Sequence, residues 1–233
     1  MPVGTFQEHN RVSVVIPTLD AADELPDTLA ALAGSAVIRE IIVSDGGSRD
    51  GSVAISRAAG ARVVSGPRGR GPQMIAGAAA AIGDWLLYLH ADCRLAAGWQ
   101  EAAEAFISRP EGSEQAGYFS FVLDDPEPAA RRLERIVAWR CRTWGLPYGD
   151  QGLLIARSLY DAVGGFAPIP LMEDVDIVRR LGRRRLVPIP APIICSARRY
   201  RREGYLRRPL RNLLCLSLYF AGVPPRRITR LYG

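Results

Sequence analysis

The chain has 233 residues, 48% of them hydrophobic, which is enough for a sizeable buried core. All 30 basic residues are arginine, so chemistry that needs a lysine, such as a Schiff base or a lysine phosphate loop, is excluded. The net charge of +6 predicts an anionic partner: nucleic acid, a membrane surface or a phosphorylated small molecule. There are two histidines, and His9 lies in a polar N-terminal segment, which argues against hydrolase triads.

The cysteines are far apart in the chain, form no CxxC pair and follow no signal-peptide pattern. We therefore expect reduced thiols in a cytoplasmic protein. These cysteines are Cys93, Cys141, Cys195 and Cys215. No apolar stretch approaches the roughly 20 residues that a membrane-spanning helix needs. The longest candidate is residues 213–223.

Four apolar runs bounded by turn residues alternate with helix-like segments in the first part of the chain. The runs are residues 12–17, 40–44, 61–65 and 85–90. This alternation predicts a mostly parallel sheet covered by helices on both faces. Ligands of such sheets bind outside the carboxyl ends of the strands, so the polar residues after each run are the candidate site.

The regular alternation of strands and helices ends at about residue 115, and a strand-like run at 116–123 and an amphipathic helix at 128–145 follow. The segment GDQG then precedes a strand, and MEDVDI opens a helix. No linker or repeat separates a second folding unit. We expect one domain, made of a nucleotide-binding half (12–115), an acceptor and catalytic half (116–200) and a basic amphipathic tail (201–233).

The second apolar run ends in Asp45, followed by Gly46 and Gly47. A carboxylate there can accept hydrogen bonds from a nucleoside base or ribose, and the glycines permit close backbone approach. Alternatively, the segment is a turn in which Ser48 caps the next helix.

The stretches VSVVIPTLDAADELPDTLAAL and VSDGGSRDGS together resemble the N-terminal signature of family 2 glycosyltransferases. The resemblance continues through RGRGPQ, LHADCRL, GDQG and MEDVDI, and covers most of residues 12–180. The LHAD form and RRYRREG resemble, more narrowly, the rSAM/selenodomain-associated subgroup. The resemblance implies an α/β single domain of the GT-A type, with a Rossmann-like nucleotide-binding half and a mixed, mostly parallel sheet. It also implies inverting sugar transfer from a nucleoside diphosphate.

The resemblance assigns donor-binding roles to residues after the first and third strands. Those implied to line the nucleoside pocket beside Asp45 are Pro17, Thr18, Leu19 and Glu24. Arg70, in the RGRG segment, is implied to lie near the phosphates or the ribose, and a guanidinium can hold phosphate oxygens bidentately. Alternatively, Arg70 is a solvated loop cation.

LHADC stands where the family carries its paired-carboxylate metal motif, and His90 takes the place of the first acid. Oxygen ligands suit Mg²⁺ or Mn²⁺, so the resemblance implies a divalent cation held by Asp92. If His90 is also a ligand, Mn²⁺ is favoured. Alternatively, His90 contacts phosphate, supports the site from outside the ligand shell, or is structural.

The Glu173 and Asp174 pair matches the family's catalytic acid position. An inverting transfer needs a base for the acceptor hydroxyl, for which Asp174 is preferred and Glu173 is second. Alternatively, both are first-turn acids favoured by the helix dipole. Asp150 and Gln151 bind the donor sugar or acceptor, or else form a tight turn.

The arginine-rich C-terminal segment has three interpretations. Arg198, Arg199 and Arg202 fold over a diphosphate as a binding arm. The tail instead lies on an anionic membrane and meets a lipid-linked acceptor. The third interpretation is a packed surface helix with solvated arginines. These interpretations are compatible with one another.

We therefore expect a metal-dependent glycosyltransferase with a UDP-linked sugar donor and an unidentified acceptor, in the cytoplasm or peripheral on the inner face of the membrane. One rival is a nucleotidyltransferase, disfavoured because its lysine and glycine-rich loop after the first strand are absent. The others are a non-catalytic nucleotide or nucleic-acid binder and an inactive transferase. Few aromatic residues lie among the arginines, which argues against nucleic acid.

Overall fold

The computed structural model describes residues 11–232. The predictions that concern His9 and the lack of a leader therefore lie outside the described residues. The strands are β1 (Val12–Thr18), β2 (Ile38–Asp45), β3 (Arg62–Ser65), β4 (Trp85–Tyr88), β5 (Cys93–Leu95), β6 (Ala116–Leu123), β7 (Leu153–Ala156) and β8 (Leu186–Cys195). The helices are α1 (Leu25–Ala30), α2 (Ser52–Ala58), α3 (Arg70–Ala80), α4 (Trp99–Ile107), α5 (Pro128–Trp144), α6 (Arg157–Ala162), α7 (Glu173–Leu181), α8 (Arg198–Glu203), α9 (Arg207–Phe220) and α10 (Pro225–Tyr232).

All eight strands form one sheet in the order β3-β2-β1-β4-β7-β6-β8-β5. The first four in this order are parallel, as predicted from the alternating apolar runs. β7 is antiparallel to both β4 and β6, β8 is parallel to β6, and β5 is antiparallel to β8. The sheet is mixed and mostly parallel, so the predicted fold class is confirmed. The loops after β1, β2 and β4 share one edge of the sheet.

β1 occupies the centre of the parallel part, and Val14, Val15 and Ile16 are fully buried. The strand reads as a continuous apolar run because helices cover both faces of a parallel sheet. Gly77 of α3 lies directly on Val15, and a Cβ at that position would collide with the valine side chain. This contact holds α3, and the loop before it, close to the strand ends.

β8 is a strand that the sequence analysis did not predict. Its prolines, Pro188, Pro190 and Pro192, are exposed and alternate with buried residues. Proline cannot donate a ladder hydrogen bond and is confined to strand positions with a free side. β5 pairs only with residues 193–195, so the proline-containing part of β8 pairs on one side with β6. The prolines are compatible with the strand because that part is an edge.

The C-terminal helices form a small apolar cluster of their own with the segment that opens α7. Its buried members are Leu171, Met172, Val175, Cys215 and Ile228. The predicted basic tail is therefore folded back onto the segment that carries the acidic pair Glu173 and Asp174. No helix between residues 11 and 232 combines the length and apolar character needed to cross a membrane.

Candidate active site

A cleft of about 1030 Å³ opens at the edge of the sheet where β1, β2 and β4 end. Its two sets of charged residues come from different parts of the chain. Four of the acids come from the loops after β1 and β2, and they are Asp20, Asp23, Glu24 and Asp50; Asp92 follows β4 and Glu203 ends α8. The arginines come from the segment before and at the start of α3 and from α8 and α9, and they are Arg68, Arg70, Arg198, Arg199, Arg202 and Arg208. This charge separation suits a ligand with a hydrogen-bonding end and an anionic end.

Residues of the first loop reach the cleft in part. Pro17, Leu19 and Glu24 line it, and their contact with a nucleoside stays a prediction. Thr18 is buried, and its hydroxyl donates to the Ile16 carbonyl at 3.3 Å instead. The Thr18 backbone carbonyl is held by the Gln73 amide at 2.7 Å.

Asp45 ends β2 with its side chain 5% exposed. Its Oδ2 accepts hydrogen bonds from the backbone N–H groups of Gly47 at 2.9 Å and Ser48 at 3.1 Å. The carboxylate thus stabilises the turn, and its contact with a nucleoside stays a prediction. Ser48 does not cap α2, because its hydroxyl accepts from the Asp20 N–H. Gly46 packs against Gln73, where a Cβ would come within 3.0 Å of the amide group.

Arg70 is the first residue of α3, rather than part of a solvated loop, and it is half-buried in the wall of the cleft. Burial would lower the pKa of Arg70, but the surrounding Tyr232, Glu173, Asp174 and Asp92 outweigh it and raise the pKa. The charged side chain therefore lies among the acids of the site.

The position of Arg70 depends on the glycines on each side. Gly69 has φ +128°, a conformation that favours glycine. Gly71 donates its N–H to the Ile169 carbonyl at 3.2 Å, and a Cβ there would collide with the carbonyls of Ala167 and Ile169. The start of α3 is thus held against the loop that leads to α7.

His90 and Asp92 follow β4 at the floor of the cleft. Burial, and then the nearby Arg70 charge, lower the pKa of His90 to about 4, so the imidazole is neutral. Its buried Nε2 has no hydrogen-bond partner among the described residues. One ligand atom each of His90, Asp92 and Cys93 lies within 4.8 Å of the others. A carboxylate and a free neutral imidazole nitrogen are a donor set that suits a divalent cation.

The structure corrects the prediction that all four cysteines are free. Cys93 on β5 and Cys195 on β8 are directly opposite in the antiparallel register, with their Cα atoms 4.1 Å apart, and form a disulfide. Their separation of 102 residues in the chain hid this pairing. Cys141 and Cys215 are free and buried. The Cys93 sulfur in the disulfide is not available as a thiolate ligand.

Asp174 and Glu173 begin α7 in very different surroundings. Asp174 lines an inner pocket of about 130 Å³ that continues from the floor of the cleft. Its Oδ2 accepts from the Gly149 N–H and its Oδ1 from the Val175 N–H, both at 2.8 Å. Met172, just before the pair, has φ +66°, a strained conformation of the kind that occurs at functional sites.

Glu173 is fully buried, and neither carboxylate oxygen has a hydrogen-bond partner within residues 11–232. Burial, and then the neighbouring Asp174 charge, raise the pKa of Glu173 to about 8. At neutral pH the side chain therefore holds its proton. Of the two acids, only Asp174 lines the inner pocket.

Asp150 and Gln151 lie in a short 3₁₀ helix, Gly149–Gln151, before β7. Asp150 lines the inner pocket, and burial raises its pKa to about 6. Gln151 faces the core: its amide donates to the Phe119 carbonyl at 3.2 Å, and its Oε1 accepts from Cys141 Sγ at 3.1 Å. The structure therefore brings Asp150 to the site and leaves Gln151 outside it.

The arginines of α8 divide between two tasks. Arg198 spans the cleft, and its guanidinium pairs with Asp23 at 2.8 Å and Glu24 at 3.0 Å. Arg199 Nη2 lies 4.0 Å from Asp92 Oδ2 and lines both the cleft and the inner pocket. Arg198 therefore contacts the opposite wall, while Arg199 is beside the candidate metal ligands.

Several site residues were not singled out by the sequence analysis. Those that line the inner pocket are Tyr148, Tyr200, Arg208, Asn212 and Tyr232. The Arg208 guanidinium is stacked 4.5 Å from the centre of the Tyr232 ring. These residues come from the loop before the 3₁₀ helix and from the C-terminal helices. No local pattern marks them, because they meet only when the tail folds back.

Several solved structures have a similar fold. Glucosyl-3-phosphoglycerate synthase from Mycobacterium tuberculosis in complex with phosphoglyceric acid is 21% identical, with a TM-score of 0.60 over 92% of this chain and 81% of that chain. The same enzyme with Mn²⁺, UDP-glucose and phosphoglyceric acid is 22% identical, with a TM-score of 0.58 over 78% of this chain and 70% of that chain. The mannosyltransferase PcManGT from Pyrobaculum calidifontis with GDP-mannose and Mn²⁺ is 20% identical, with a TM-score of 0.58 over 80% of this chain and 56% of that chain. At these identities the likeness shows the fold.

The sheet order and the cleft at the strand ends define a protein of the GT-A fold class. The family model of glycosyl transferase family 2 matches residues 13–169. The chain therefore belongs to glycosyl transferase family 2, as the motifs indicated. No curated protein matches the chain. The narrower subgroup resemblance stays a prediction.

Proposed function

We propose that the protein transfers a sugar from a nucleoside diphosphate sugar, UDP-linked, to an acceptor hydroxyl with inversion at the anomeric carbon. The observation that carries this proposal is the Asp174 carboxylate on the wall of the inner pocket, beside His90 and Asp92 at the floor of the cleft. Family membership and the absence of lysine disfavour a nucleotidyltransferase.

The cleft suits a nucleotide-sugar donor because its charges are separated. The acids of the loops after β1 and β2 can accept hydrogen bonds from the nucleoside, and the arginines can bind the diphosphate. Asp92 and His90 would hold a divalent cation, with Mn²⁺ preferred because one ligand is an imidazole. When bound, the cation neutralises charge on the leaving diphosphate. Arg70 and Arg199 add positive charge from either side of Asp92.

Asp174 is proposed as the base for the acceptor hydroxyl. A base must be ionised and reach the proton that it removes. Asp174 lines the pocket and is oriented by the N–H groups of Gly149 and Val175. Glu173 is enclosed in the core and protonated at neutral pH, so its proposed task is to support the start of α7.

Asp174→Asn tests this assignment. The amide keeps the size of the side chain and cannot accept the proton, so we expect the transfer rate to fall about 10²–10⁴-fold with unchanged nucleotide binding. Asp176→Asn is the matched control, because Asp176 on the same helix pairs with Arg180 at 2.6 Å. Transfer is measured as release of the nucleoside diphosphate. Undiminished transfer by Asp174→Asn would remove the base assignment, and absence of transfer in the unaltered protein would favour an inactive transferase.

The acceptor is proposed to be lipid-linked, with the protein peripheral on an anionic membrane. Large apolar side chains on the outward face of α9, and on the residue just before it, are 48–72% exposed: Leu206, Leu210, Leu213, Leu214 and Phe220. No acid follows Glu203 in the chain, whereas six arginines do. An exposed apolar stripe with basic flanks is the pattern of a helix that lies in a membrane interface. Tyr232 of the adjoining α10 lines the inner pocket, so docking would bring the pocket close to lipid.

Sedimentation with vesicles tests the membrane contact. We expect binding to vesicles that contain phosphatidylglycerol and little binding to pure phosphatidylcholine, because the flanking charges are all positive. Leu210→Ser with Leu214→Ser should abolish binding, whereas Ile82→Ser, at another exposed apolar position, should not. Equal sedimentation of the α9 variant and the unaltered protein would contradict this part of the proposal and leave the transfer reaction untouched.

A further inference from the structure

The disulfide partners lie beside the candidate metal ligands. Asp92 directly precedes Cys93, and Cys93 Sγ is 3.7 Å from Asp92 Oδ1. Both Cys93 and Cys195 line the inner pocket, together with His90 and Asp92. One ligand atom each of His90, Asp92 and Cys93 already lies within 4.8 Å of the others, and the Cys195 sulfur is bonded to that of Cys93. Three side chains of ligand type therefore lie together in the pocket, and a fourth, Cys195, is bonded to one of them.

Two of these four side chains change their chemistry with the redox state. In the disulfide, neither sulfur is a thiolate, and a thiolate is the form that binds metal strongly. A dithiol reductant cleaves the bond in two steps: one thiolate attacks a sulfur to form a mixed disulfide, and its second thiol displaces the protein. The reductant leaves as a cyclic disulfide, and the protein gains two electrons and two protons as the thiols of Cys93 and Cys195.

We propose that the reduced protein binds a zinc ion through His90, Asp92, Cys93 and Cys195. Two thiolates, an imidazole and a carboxylate form a four-ligand set that zinc accepts in tetrahedral geometry. Binding releases the two thiol protons to solvent, so zinc replaces them. The ligands bring three negative charges to a doubly charged ion, and Arg70 and Arg199 lie next to them.

The neighbouring groups favour a soft cation at this point. His90 Nε2 is buried without a hydrogen-bond partner in the described part of the chain, so it is free to ligate. Thiolates select zinc over Mg²⁺ or Mn²⁺, whereas a lone carboxylate with an imidazole discriminates less. The redox state of one disulfide would therefore change which cation the pocket prefers.

The consequence for catalysis rests on the proposed function. Asp92 is the only carboxylate common to both metal sites, so zinc held in the reduced site would withdraw it from the cation that neutralises the diphosphate. We expect the oxidised protein to use Mn²⁺ and the reduced, zinc-loaded protein to transfer sugar more slowly.

The test is zinc binding by the full chain in two redox states, without nucleotide. Protein stripped of metal is reduced with dithiothreitol and desalted without oxygen, or left oxidised, and then dialysed against zinc and analysed for bound metal. The background variant Cys141→Ala with Cys215→Ala leaves the disulfide pair as the remaining cysteines. We expect about one tightly held zinc ion per chain in the reduced form and much less zinc in the oxidised form, in which His90 and Asp92 remain the proposed ligands. Equal zinc content of the two forms, or none in the reduced form, would overturn the proposal.

Cobalt gives a second readout, which is obtained first on the unaltered protein. Co²⁺ in place of zinc should give a thiolate charge-transfer band in the near ultraviolet for the reduced protein, and Cys195→Ser should weaken that band. A reduced protein that binds cobalt without the band would show that the cysteines are not ligands. Because neither measurement involves a nucleotide sugar, a failed zinc site and a failed transferase assignment are distinguished.

Discussion

At the scale of single residues, the most informative contrast is between two neighbours in the chain. Glu173 and Asp174 both open α7, yet one points into the core and the other lines the inner pocket. Adjacent residues of a helix are about 100° apart around its axis, so one boundary between core and pocket can pass between them. The sequence analysis named both residues as candidate bases, and the burial of their side chains in the structure distinguishes the two.

The raised pKa of Glu173 should be visible in stability measurements. Between about pH 4.5 and 8 the folded protein keeps the proton on Glu173 and the unfolded chain loses it, so the free energy of unfolding falls as the pH rises. His90, whose pKa is lowered from 6.5 to about 4, gives the opposite trend, a rise in stability between those two values. Asp150, whose pKa is raised to about 6, lowers the free energy of unfolding as the pH rises to about 6. Among these three groups, the Glu173 effect therefore acts alone between about pH 6.5 and 8.

We expect the unaltered protein to lose up to about 1.4 kcal/mol of stability per pH unit in that window, and Glu173→Gln to remove this loss. Chemical denaturation at several pH values measures both. Because the glutamine resembles the protonated acid, the variant should match the unaltered protein below about pH 4.5, where Glu173 is protonated in both states, and should be the more stable of the two at pH 6.5. A pH dependence that Glu173→Gln leaves unchanged would show that the carboxyl is ionised in the folded protein.

Gly149 packs closely against both His90 and Asp174. A Cβ at this position would lie 2.6 Å from His90 Nε2 and 3.3 Å from Asp174 Oδ2. Gly149→Ala should displace the imidazole and lower the transfer rate about 100-fold, since a shift of about 1 Å in an active site has that effect. Gly51→Ala is the control, because its Cβ meets only ordinary contacts of 3.6 Å and more. Rates that are equal in the two variants would contradict the tight packing around His90.

At the scale of elements, the C-terminal helices connect the tail to the site. Ile228 of α10 is fully buried against Leu171, Met172 and Val175, and Tyr232 at the end of the same helix lines the inner pocket. The arginines and leucines of the tail predicted an amphipathic helix. They did not predict that its buried face packs beside the candidate site. The helix that looks like a surface feature in the sequence is a wall of the pocket.

Ile228→Ala should loosen α10 from this cluster. Truncation of a buried isoleucine costs about 2–5 kcal/mol. Here the loss would weaken the packing of α10 against the cluster, so the α10 amides should exchange with solvent much faster. Leu231→Ala removes a side chain of the same helix that is 49% exposed, and it should leave exchange unchanged. Hydrogen exchange followed by mass spectrometry makes the comparison. Similar exchange in the two variants would mean that α10 is not held by Ile228.

At the scale of the whole molecule, the separated charges of the cleft predict how ligands stabilise the fold. A donor that binds only the folded state at about 100 times its dissociation constant adds about 2.7 kcal/mol. For a chain of this size the melting temperature should then rise by about 5–10 °C. We expect UDP with Mn²⁺ to give this rise and UDP with EDTA to give little, measured by differential scanning fluorimetry. The same rise with EDTA would mean that the arginines bind the diphosphate without a metal ion.

The sequence by itself determined the alternation of strands and helices from β1 to β4 and the edge of the sheet at which the cleft opens. Strand runs at fixed intervals, each followed by a polar segment, indicate a parallel sheet and its binding edge without reference to distant contacts. Family 2 membership followed from the same motifs and is confirmed. Local patterns carry this information because helix and strand periods are properties of neighbouring residues.

Only the tertiary structure decided what distant segments do to one another. The disulfide joins residues 102 positions apart, and β8 forms despite three prolines because the pairing of β5 leaves part of it an edge. Gln151, a predicted ligand contact, faces the core, while Arg208 and Tyr232 reach the pocket from the tail. Burial and charge at a site are sums over residues brought together by folding, so the sequence could name the acids and the histidine but could not give their pKa values.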